Sequence, residues 1–234
     1  MEAGEYALMD AAEARMWWYR ALHARLAAAL GGVSGRVLDA GCGTGGLLSV
    51  LRGRKGLQLV GVEFAQPAAR RAREKSAAPV AGGSVNALPF ADAAFDAVVA
   101  ADVLCHAGVD PPIALAEFAR VLRPGGRLVV NMPAYAWLAS AHDRRVHNAR
   151  RQNARELRAM LAAAGFVQIR ANYWNFLLLP LMITQRKLLA HEKSDVAVFP
   201  PWLDAILHAA TVLERALPFR LPAGGSVLAE ATRP

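Results

Sequence analysis

Cysteine is scarce in this chain, which has only Cys42 and Cys105 among its 234 residues. Two isolated thiols exclude a disulfide framework, and neither stands at the spacing of a metal site. We therefore expect reduced thiols, a cytoplasmic location and no bound metal. No uninterrupted apolar run approaches the roughly 18 residues of a membrane-spanning helix. Residues 1–10 include acidic side chains and lack the basic-then-apolar pattern of a signal peptide.

Acidic residues are also few relative to basic ones: the chain has 19 of them and 27 lysines and arginines, so its formal net charge is +8. Such a balance suits an anionic partner, either a nucleic acid or a membrane surface. Aromatic residues make up 7% of the chain and do not alternate with basic ones as they do in nucleic-acid stacking platforms. This argues against nucleic acid and leaves a peripheral membrane contact open. An arginine-rich composition without any such partner explains the charge equally well.

What the chain does contain is a glycine-rich turn after a short apolar run. Val37 and Leu38 are typical of the end of a buried strand, and Gly41, Gly43 and Gly46 follow. Glycine permits positive φ and close approach of a ligand, and a helix that begins at the turn presents unpaired N–H groups to it. The three glycines also fit the dinucleotide fingerprint, so the turn predicts a nucleotide-like ligand without naming it.

Two carboxylates narrow the choice of ligand. Glu63 ends the next apolar run about 20 residues past the glycines, a spacing at which a carboxylate accepts hydrogen bonds from ribose hydroxyls. Asp39 stands just before the first glycine, where dinucleotide enzymes usually continue an apolar strand. A carboxylate at that position suits a ligand that carries a cationic group beside the turn.

Four motifs in order along the chain resemble the class I S-adenosylmethionine-dependent methyltransferases. They are Asp39-x-Gly41-x-Gly43-x-Gly45, the acidic Glu63, Ala87-Leu88-Pro89-Phe90 and Val121-Leu122-Arg123-Pro124-Gly125-Gly126. The resemblance covers about residues 36–169. It implies an α/β fold with a Rossmann-like, doubly wound sheet of seven strands, of which strands 6 and 7 are antiparallel. It also implies S-adenosylmethionine in the glycine crevice, methyl transfer, and S-adenosylhomocysteine as the product.

The resemblance assigns roles around the cofactor. Asp39 and the turn would hold its methionine portion, Glu63 its ribose, and Phe64 and Val85 would flank its adenine. The full set of expected cofactor contacts is Asp39, Gly41, Cys42, Gly43, Glu63, Phe64, Ser84, Val85, Ala101 and Asp102. Ser84 stands where the family commonly has an aspartate near the adenine, which removes one expected polar contact.

Two further sets of residues are candidates for activating or contacting the methyl acceptor. The candidates for catalysis are His106, His142, Asp143 and Tyr135, and those for substrate contact are Trp17, Trp18, Tyr19, Arg144 and Tyr173. A general base helps if the acceptor is a hydroxyl or an ammonium ion. The alternative for these polar side chains is structural hydrogen bonding and ordinary surface ion pairs.

The aromatic residues Trp17, Trp18 and Tyr19 are adjacent in the sequence. Neighbours on a helix point about 100° apart, so these three side chains cannot all face one core.

We expect one methyltransferase domain over residues 1–234. It comprises an N-terminal helical lid (1–35), a cofactor-binding core (36–171), a helical insertion (172–222) and a last strand (223–234). The apolar run 173–183 is too short to span a bilayer. It suits a lid on an apolar pocket, an interfacial helix beside Arg186 and Lys187, or a dimer contact, so both a monomer and a homodimer stay open.

The expected function is therefore methyl transfer from S-adenosylmethionine to oxygen or nitrogen of a small hydrophobic or amphipathic metabolite, as in secondary metabolism. One alternative is a fold that binds S-adenosylmethionine for a non-methylating reaction or as a non-catalytic partner. Another is a nicotinamide-dependent oxidoreductase that uses the same glycine turn. A nucleic-acid methyltransferase is a weaker alternative that rests on charge alone.

Overall fold

The strands form one mixed sheet. A computed structural model describes residues 3–187 and 199–234. Its strands are β1 (Gly35–Ala40), β2 (Leu57–Glu63), β3 (Val80–Gly82), β4 (Phe95–Ala101), β5 (Leu122–Pro133), β6 (Val167–Trp174) and β7 (Ser226–Thr232). Their order is β3-β2-β1-β4-β5-β7-β6. The first five are parallel, and β7 lies antiparallel between β5 and β6. The predicted fold class is confirmed.

Helices flank the sheet and extend beyond one end of it. They are α1 (Ala3–Ala12), α2 (Trp17–Ala29), α3 (Gly46–Leu51), α4 (Gln66–Ser76), α5 (Pro111–Val121), α6 (Ala141–Arg145), α7 (Ala154–Ala163), α8 (Leu179–Lys187) and α9 (Pro201–Ala216). We call α8 and α9 the helical cap. Within the described ranges, no helix has the length and apolarity needed to cross a bilayer.

Local sequence signals explain several of these boundaries. The Asn153 side chain accepts from the N–H of Glu156, whose own side chain accepts from the N–H of Asn153, so α7 begins with a capping box. Gly165, at φ +86°, follows the end of the same helix. The last strand, expected within residues 223–234, is observed as Ser226–Thr232.

The core lies on both faces of the central strands. Phe95 and residues 97–100 of β4 are fully buried, as expected for a parallel strand covered by helices on both sides. Phe118 of α5 packs with Leu128 of β5 on one face, and Leu26 of α2 belongs to the cluster on the other. This packing fixes the carboxyl ends of the strands, where the candidate site lies.

Two boundaries differ from the sequence-based expectation. The sequence Arg123-Pro124-Gly125-Gly126 is typical of a turn, but β5 already begins at Leu122, which pairs with Phe95. Gly125, at φ +75°, donates its N–H to the carbonyl of Arg233, so long-range pairing draws the turn into the sheet. β6 continues to Trp174, past residue 172, where the insertion was expected to begin. Its pairing with β7 extends it.

A buried ion pair joins the helical cap to the core. The guanidinium of Arg25 in α2 donates to the carboxylate of Glu214 in α9 at 3.0 Å, and both side chains are buried. The same carboxylate accepts the backbone N–H groups of residues 175–177 at 2.6–3.1 Å. Arg25 also lies 4.7 Å from the ring centre of Trp174. One carboxylate therefore connects α9, α2 and the chain segment that follows β6.

Replacing Glu214 with Ala should lower the free energy of unfolding by about 3–5 kcal/mol, because it leaves the Arg25 charge buried without its partner. Urea denaturation followed by circular dichroism measures the loss. The matched control is Asp92→Ala, which removes the partner of Arg120 at a site where the Asp92 side chain is 76% exposed. That loss should stay below about 1 kcal/mol. Equal losses in the two variants would contradict the anchoring role.

Candidate functional site

A cavity of about 910 Å³ opens at the carboxyl ends of β1, β2 and β4. Its wall contains the glycine turn after β1, Glu63 at the end of β2, and Asp102 after β4. Helices α2, α8 and α9 line the opposite side. In an open α/β sheet, ligands bind in this position, outside the carboxyl ends of the strands.

The turn after β1 depends on its glycines. Gly41, Gly43 and Gly45 have φ values of +83°, +54° and +86°, a region that other residues rarely adopt. A Cβ atom on Gly41 would lie 2.6 Å from a methyl group of Val103, and one on Gly45 would lie 2.8 Å from the backbone of Ala72. The backbone therefore passes close to its neighbours and stays open on the cavity side.

Glu63 closes the turn from the neighbouring strand. Its carboxylate accepts the N–H of Gly43 at 3.0 Å and that of Ala65 at 2.9 Å. It also accepts the hydroxyl of Tyr6, from α1, at 3.2 Å. Burial and this carboxylate raise the pKa of Tyr6, so its hydroxyl stays protonated and remains a donor. Glu63 is thus fixed at the wall with its charge towards the turn.

Asp39 precedes the turn and is buried, with 4% of its surface exposed. Burial raises the pKa of its carboxyl to about 8, and the nearby carboxylates of Glu13 and Glu63 add to the shift. Glu13, also buried, is paired with Lys75 at 2.7 Å. Three carboxyl groups around one glycine turn disfavour their joint ionisation, and a cationic ligand group would relieve this.

Most of the residues predicted to contact a cofactor lie on the cavity wall. These are Gly41, Gly43, Glu63, Phe64, Ser84, Val85, Ala101 and Asp102. Asp39 and Cys42 are buried outside the described wall. The Cys42 thiol packs so closely against Gly61 that a Cβ there would lie 2.8 Å from the sulfur. Ser84 accepts the N–H of Asn86 at 3.1 Å and so shapes the loop after β3.

The end of β4 carries two titratable groups on the wall. Asp102, at φ +54°, accepts a hydrogen bond from the side-chain amide of Asn131 at 2.9 Å. That amide in turn accepts the indole N–H of Trp174 at 2.8 Å. Burial raises the pKa of Asp102 to about 7, against the effect of the Asn131 bond. Burial lowers the pKa of His106, which favours its neutral form at neutral pH.

Asp143 is held by protein groups. Arg151 donates to its two oxygens at 2.9 and 3.0 Å, and the N–H of Ser140 donates at 2.8 Å. Burial acts to raise the pKa of Asp143, but Arg151 and the Ser140 bond hold it below its ordinary value. The pair is buried, and Arg151 lines the cavity while Asp143 lies behind it. Asp143 therefore orients a wall residue.

The remaining acceptor-side candidates are dispersed. The rings of Tyr135 and Tyr173 are stacked at 5.5 Å, and neither belongs to the wall that the described residues form. The Tyr173 hydroxyl accepts the N–H of Ala154 at 3.1 Å. Arg144 is exposed outside the wall. The backbone of His142 lies in α6, but its side chain is outside the described structure.

The far wall is largely apolar. The predicted aromatics Trp17, Trp18 and Tyr19 all line it, although Trp18 also packs against Trp174 at 6.1 Å. The helical cap contributes Leu181, Met182, Leu203 and Leu207, and Leu178 lies on the same wall just before α8. This arrangement matches a lid on an apolar pocket, one of the three interpretations of the run 173–183.

Sequence reasoning did not select Tyr6 or Arg151 as site residues. Tyr6 is a single aromatic in an N-terminal helix, and its contact with Glu63 spans 57 residues of sequence. Arg151 belongs to a basic pair close to Asp143 in sequence, and that proximity was the one available signal. Neither position carries a periodic pattern that distinguishes it from a surface residue.

Comparison with known proteins supports the resemblance. Residues 38–130 match a family model described as a methyltransferase domain. Over 101 residues the chain is 38% identical to O-methyltransferase cnsE of Penicillium expansum, which covers 40% of this chain and 36% of that protein. Over 129 residues it is 37% identical to O-methyltransferase resE of Aspergillus sclerotiorum, covering 52% and 47% respectively. The chain thus spans less than half the length of either relative.

A solved structure extends the likeness to the whole chain. A S-adenosylmethionine-dependent methyltransferase of Thermotoga maritima matches with a TM-score of 0.66 and 20% identity, over 99% of this chain and 96% of that one. This likeness shows the shared fold. The family match favours methyl transfer over the nicotinamide-dependent alternative. Residues 38–130 therefore resemble a methyltransferase domain, and the chain shares its fold with a S-adenosylmethionine-dependent methyltransferase.

Proposed function

We propose that this chain binds S-adenosylmethionine at the glycine turn and transfers its methyl group to oxygen or nitrogen of a small apolar or amphipathic molecule. The observation that carries the proposal is the placement of Glu63. Its carboxylate lies 3.0 Å from the N–H of Gly43, beside a cavity of about 910 Å³. A nucleoside that enters there meets a fixed acceptor for its ribose hydroxyls.

Each part of the cofactor finds chemically matched residues in this proposal. Glu63 would accept the ribose hydroxyls in place of Tyr6. Asp39 would ionise to balance the ammonium group of the methionine portion, which relieves the crowding of carboxyl groups. Phe64 and Val85 would provide apolar surface on the two sides of the adenine ring.

The acceptor would occupy the part of the cavity below the helical cap. Apolar side chains from α2, α8 and α9 line this part, and burying an apolar molecule there is favourable by roughly 25 cal/mol per Å² of buried surface. The guanidinium of Arg151 is a polar group on the same wall. The site therefore suits an amphipathic acceptor better than a fully polar one.

Methyl transfer is an in-line displacement in which the acceptor lone pair forms the new bond as the methyl–sulfur bond breaks. The sulfonium becomes a neutral thioether, so the main task of the protein is to align donor and acceptor, worth up to about 7–11 kcal/mol. A hydroxyl or ammonium acceptor also loses a proton. Asp102 and His106 are the groups at the end of β4 that we assign to receive it.

Two measurements test the proposal as a whole. Calorimetry with S-adenosylhomocysteine should show binding to one site per chain. Incubation with methyl-labelled S-adenosylmethionine and a panel of phenols, quinols and amines should then move label into an organic-extractable product. Binding without transfer to any acceptor would favour a non-methylating role, and absence of binding would contradict the proposal.

Replacing Glu63 with Gln should weaken S-adenosylhomocysteine binding by about ten- to a hundredfold, because hydrogen bonds to a charged group contribute roughly 1.5–3 kcal/mol. Tyr6→Phe is the matched control. It removes the other hydrogen-bonding group of the Tyr6–Glu63 contact and leaves the carboxylate in place, so affinity should change by less than about threefold. Calorimetry measures both variants, and equal losses would place the ribose elsewhere.

Replacing Asp39 with Asn should stabilise the ligand-free protein at pH 8 while weakening cofactor binding. The folded-state pKa of about 8 lies above the ordinary value, so the folded protein binds this proton more tightly than the unfolded chain does. Its contribution to stability therefore falls as pH rises from about 4 to about 8. In the Asp39→Asn variant this fall in stability with pH should be absent. Each kcal/mol of unfolding free energy gained at pH 8 raises Tm by roughly 2–4 °C.

Thermal unfolding over this pH range, followed by calorimetry with S-adenosylhomocysteine, checks both halves of the Asp39 prediction. Asp92→Asn, at an exposed position, serves as the control and should leave both properties unchanged. An Asp39→Asn variant with the wild-type pH slope and wild-type affinity would refute the assignment.

A further inference from the structure

Helix α9 presents its apolar side to solvent. Trp202, Ile206 and Leu213 are 66%, 58% and 61% exposed. The exposed positions of the helix after its first residue are Trp202, Ala205, Ile206, Ala209, Val212, Leu213, Arg215 and Ala216. At 3.6 residues per turn, all of these except Arg215 fall within an arc of about 120°. We call this set of seven the outer face of α9.

The acidic side chains of the same helix point inward. Asp204 accepts the backbone N–H of Trp17 at 2.6 Å and pairs with Arg20 at 3.2 Å. Glu214 and Thr211 are buried, and Arg25 of α2 donates to the Glu214 carboxylate and to the backbone carbonyl of Thr211. A surface helix of a globular protein ordinarily has the opposite arrangement. An exposed apolar face of this kind marks an interaction surface.

The charges that accompany the outer face have one sign. Between residues 199 and 223, the exposed charged side chains are those of Arg215 and Arg220, while Asp204 and Glu214 are turned inward and paired. Phe219, which is 62% exposed, lies beside Arg220 in the chain. The whole chain has a net charge of +8. The surface is thus apolar with a basic margin.

This combination fits an anionic lipid surface better than a second copy of the chain. An interfacial helix places its apolar residues at the boundary of headgroups and acyl chains, where basic side chains meet negative charge. A second copy would bring the same positive charge to the contact. We propose that the outer face of α9 docks on an anionic membrane surface, with Arg215 and Arg220 at the headgroups.

The opposite side of α9 lines the cavity through Leu203 and Leu207. A membrane at the outer face would therefore lie one helix away from the apolar wall of the candidate site. The docking proposal depends on α9 and the residues that follow it, and it stands independently of the proposed methyl transfer.

Vesicle flotation tests the proposal. The wild-type chain should bind vesicles of equimolar phosphatidylcholine and phosphatidylglycerol. The double variant Ile206→Gln with Leu213→Gln should bind them at least about tenfold more weakly, because it removes apolar surface from the contact. The matched control is Val50→Gln with Ile113→Gln, two aliphatic residues that are 56% and 49% exposed on α3 and α5. It should bind as the wild type does.

The charge contribution has its own variant. Arg215→Gln with Arg220→Gln should weaken binding to the anionic vesicles by about fivefold per arginine, and added salt should reduce wild-type binding towards the same level. The proposal would be overturned if this variant bound anionic vesicles as tightly as the wild type did.

Two further measurements separate docking from misfolding and from dimerisation. All variants should retain the wild-type thermal unfolding, because every substituted residue is exposed. The emission of Trp202 is the difference between the fluorescence spectra of the wild type and Trp202→Phe. It should shift to shorter wavelength when anionic vesicles are added. The proposal would be overturned in favour of a second copy if two results were found together. The wild type would fail to bind vesicles and sediment as a dimer, and the Ile206/Leu213 variant would sediment as a monomer.

Discussion

The site depends on the parallel pairing of β1 with β2. In this register Ala40 lies opposite Val62, so the turn after β1 and the residue after Val62 emerge side by side. The N–H groups of Gly41 and Cys42 both donate to the carbonyl of Val62, which holds the turn against the neighbouring strand. Glu63 can then reach Gly43. Without this register the glycines and the carboxylate would not share a wall.

The same geometry brings three buried carboxyl groups close to the turn. Glu13, Asp39 and Glu63 are all buried near the turn, and part of their charge is suppressed by a proton on Asp39 at neutral pH. A site built in this way is less stable when empty than an apolar alternative would be. Binding a cation there returns stability through mass action, so occupancy and folding are linked.

Local signals made much of the fold predictable. The glycine turn and the last strand lie where the sequence indicated, and the Asn153 capping box is formed by residues only three positions apart. Contacts between distant segments were not predictable in this way. The pairing of Arg25 with Glu214 spans 189 positions, and no periodicity reveals it. The sequence predicted a helical insertion over residues 172–222 but did not indicate which side of α9 faces the protein.

One chain of contacts gives the helical cap a mechanical connection to the end of β4. Glu214 holds Arg25, which lies over the ring of Trp174, and the Trp174 indole is bonded to Asn131, the residue that donates to Asp102. A tilt of α9 would therefore alter the hydrogen bond that lowers the proton affinity of Asp102. The position of the helical cap and the proton affinity of Asp102 are therefore coupled in this molecule.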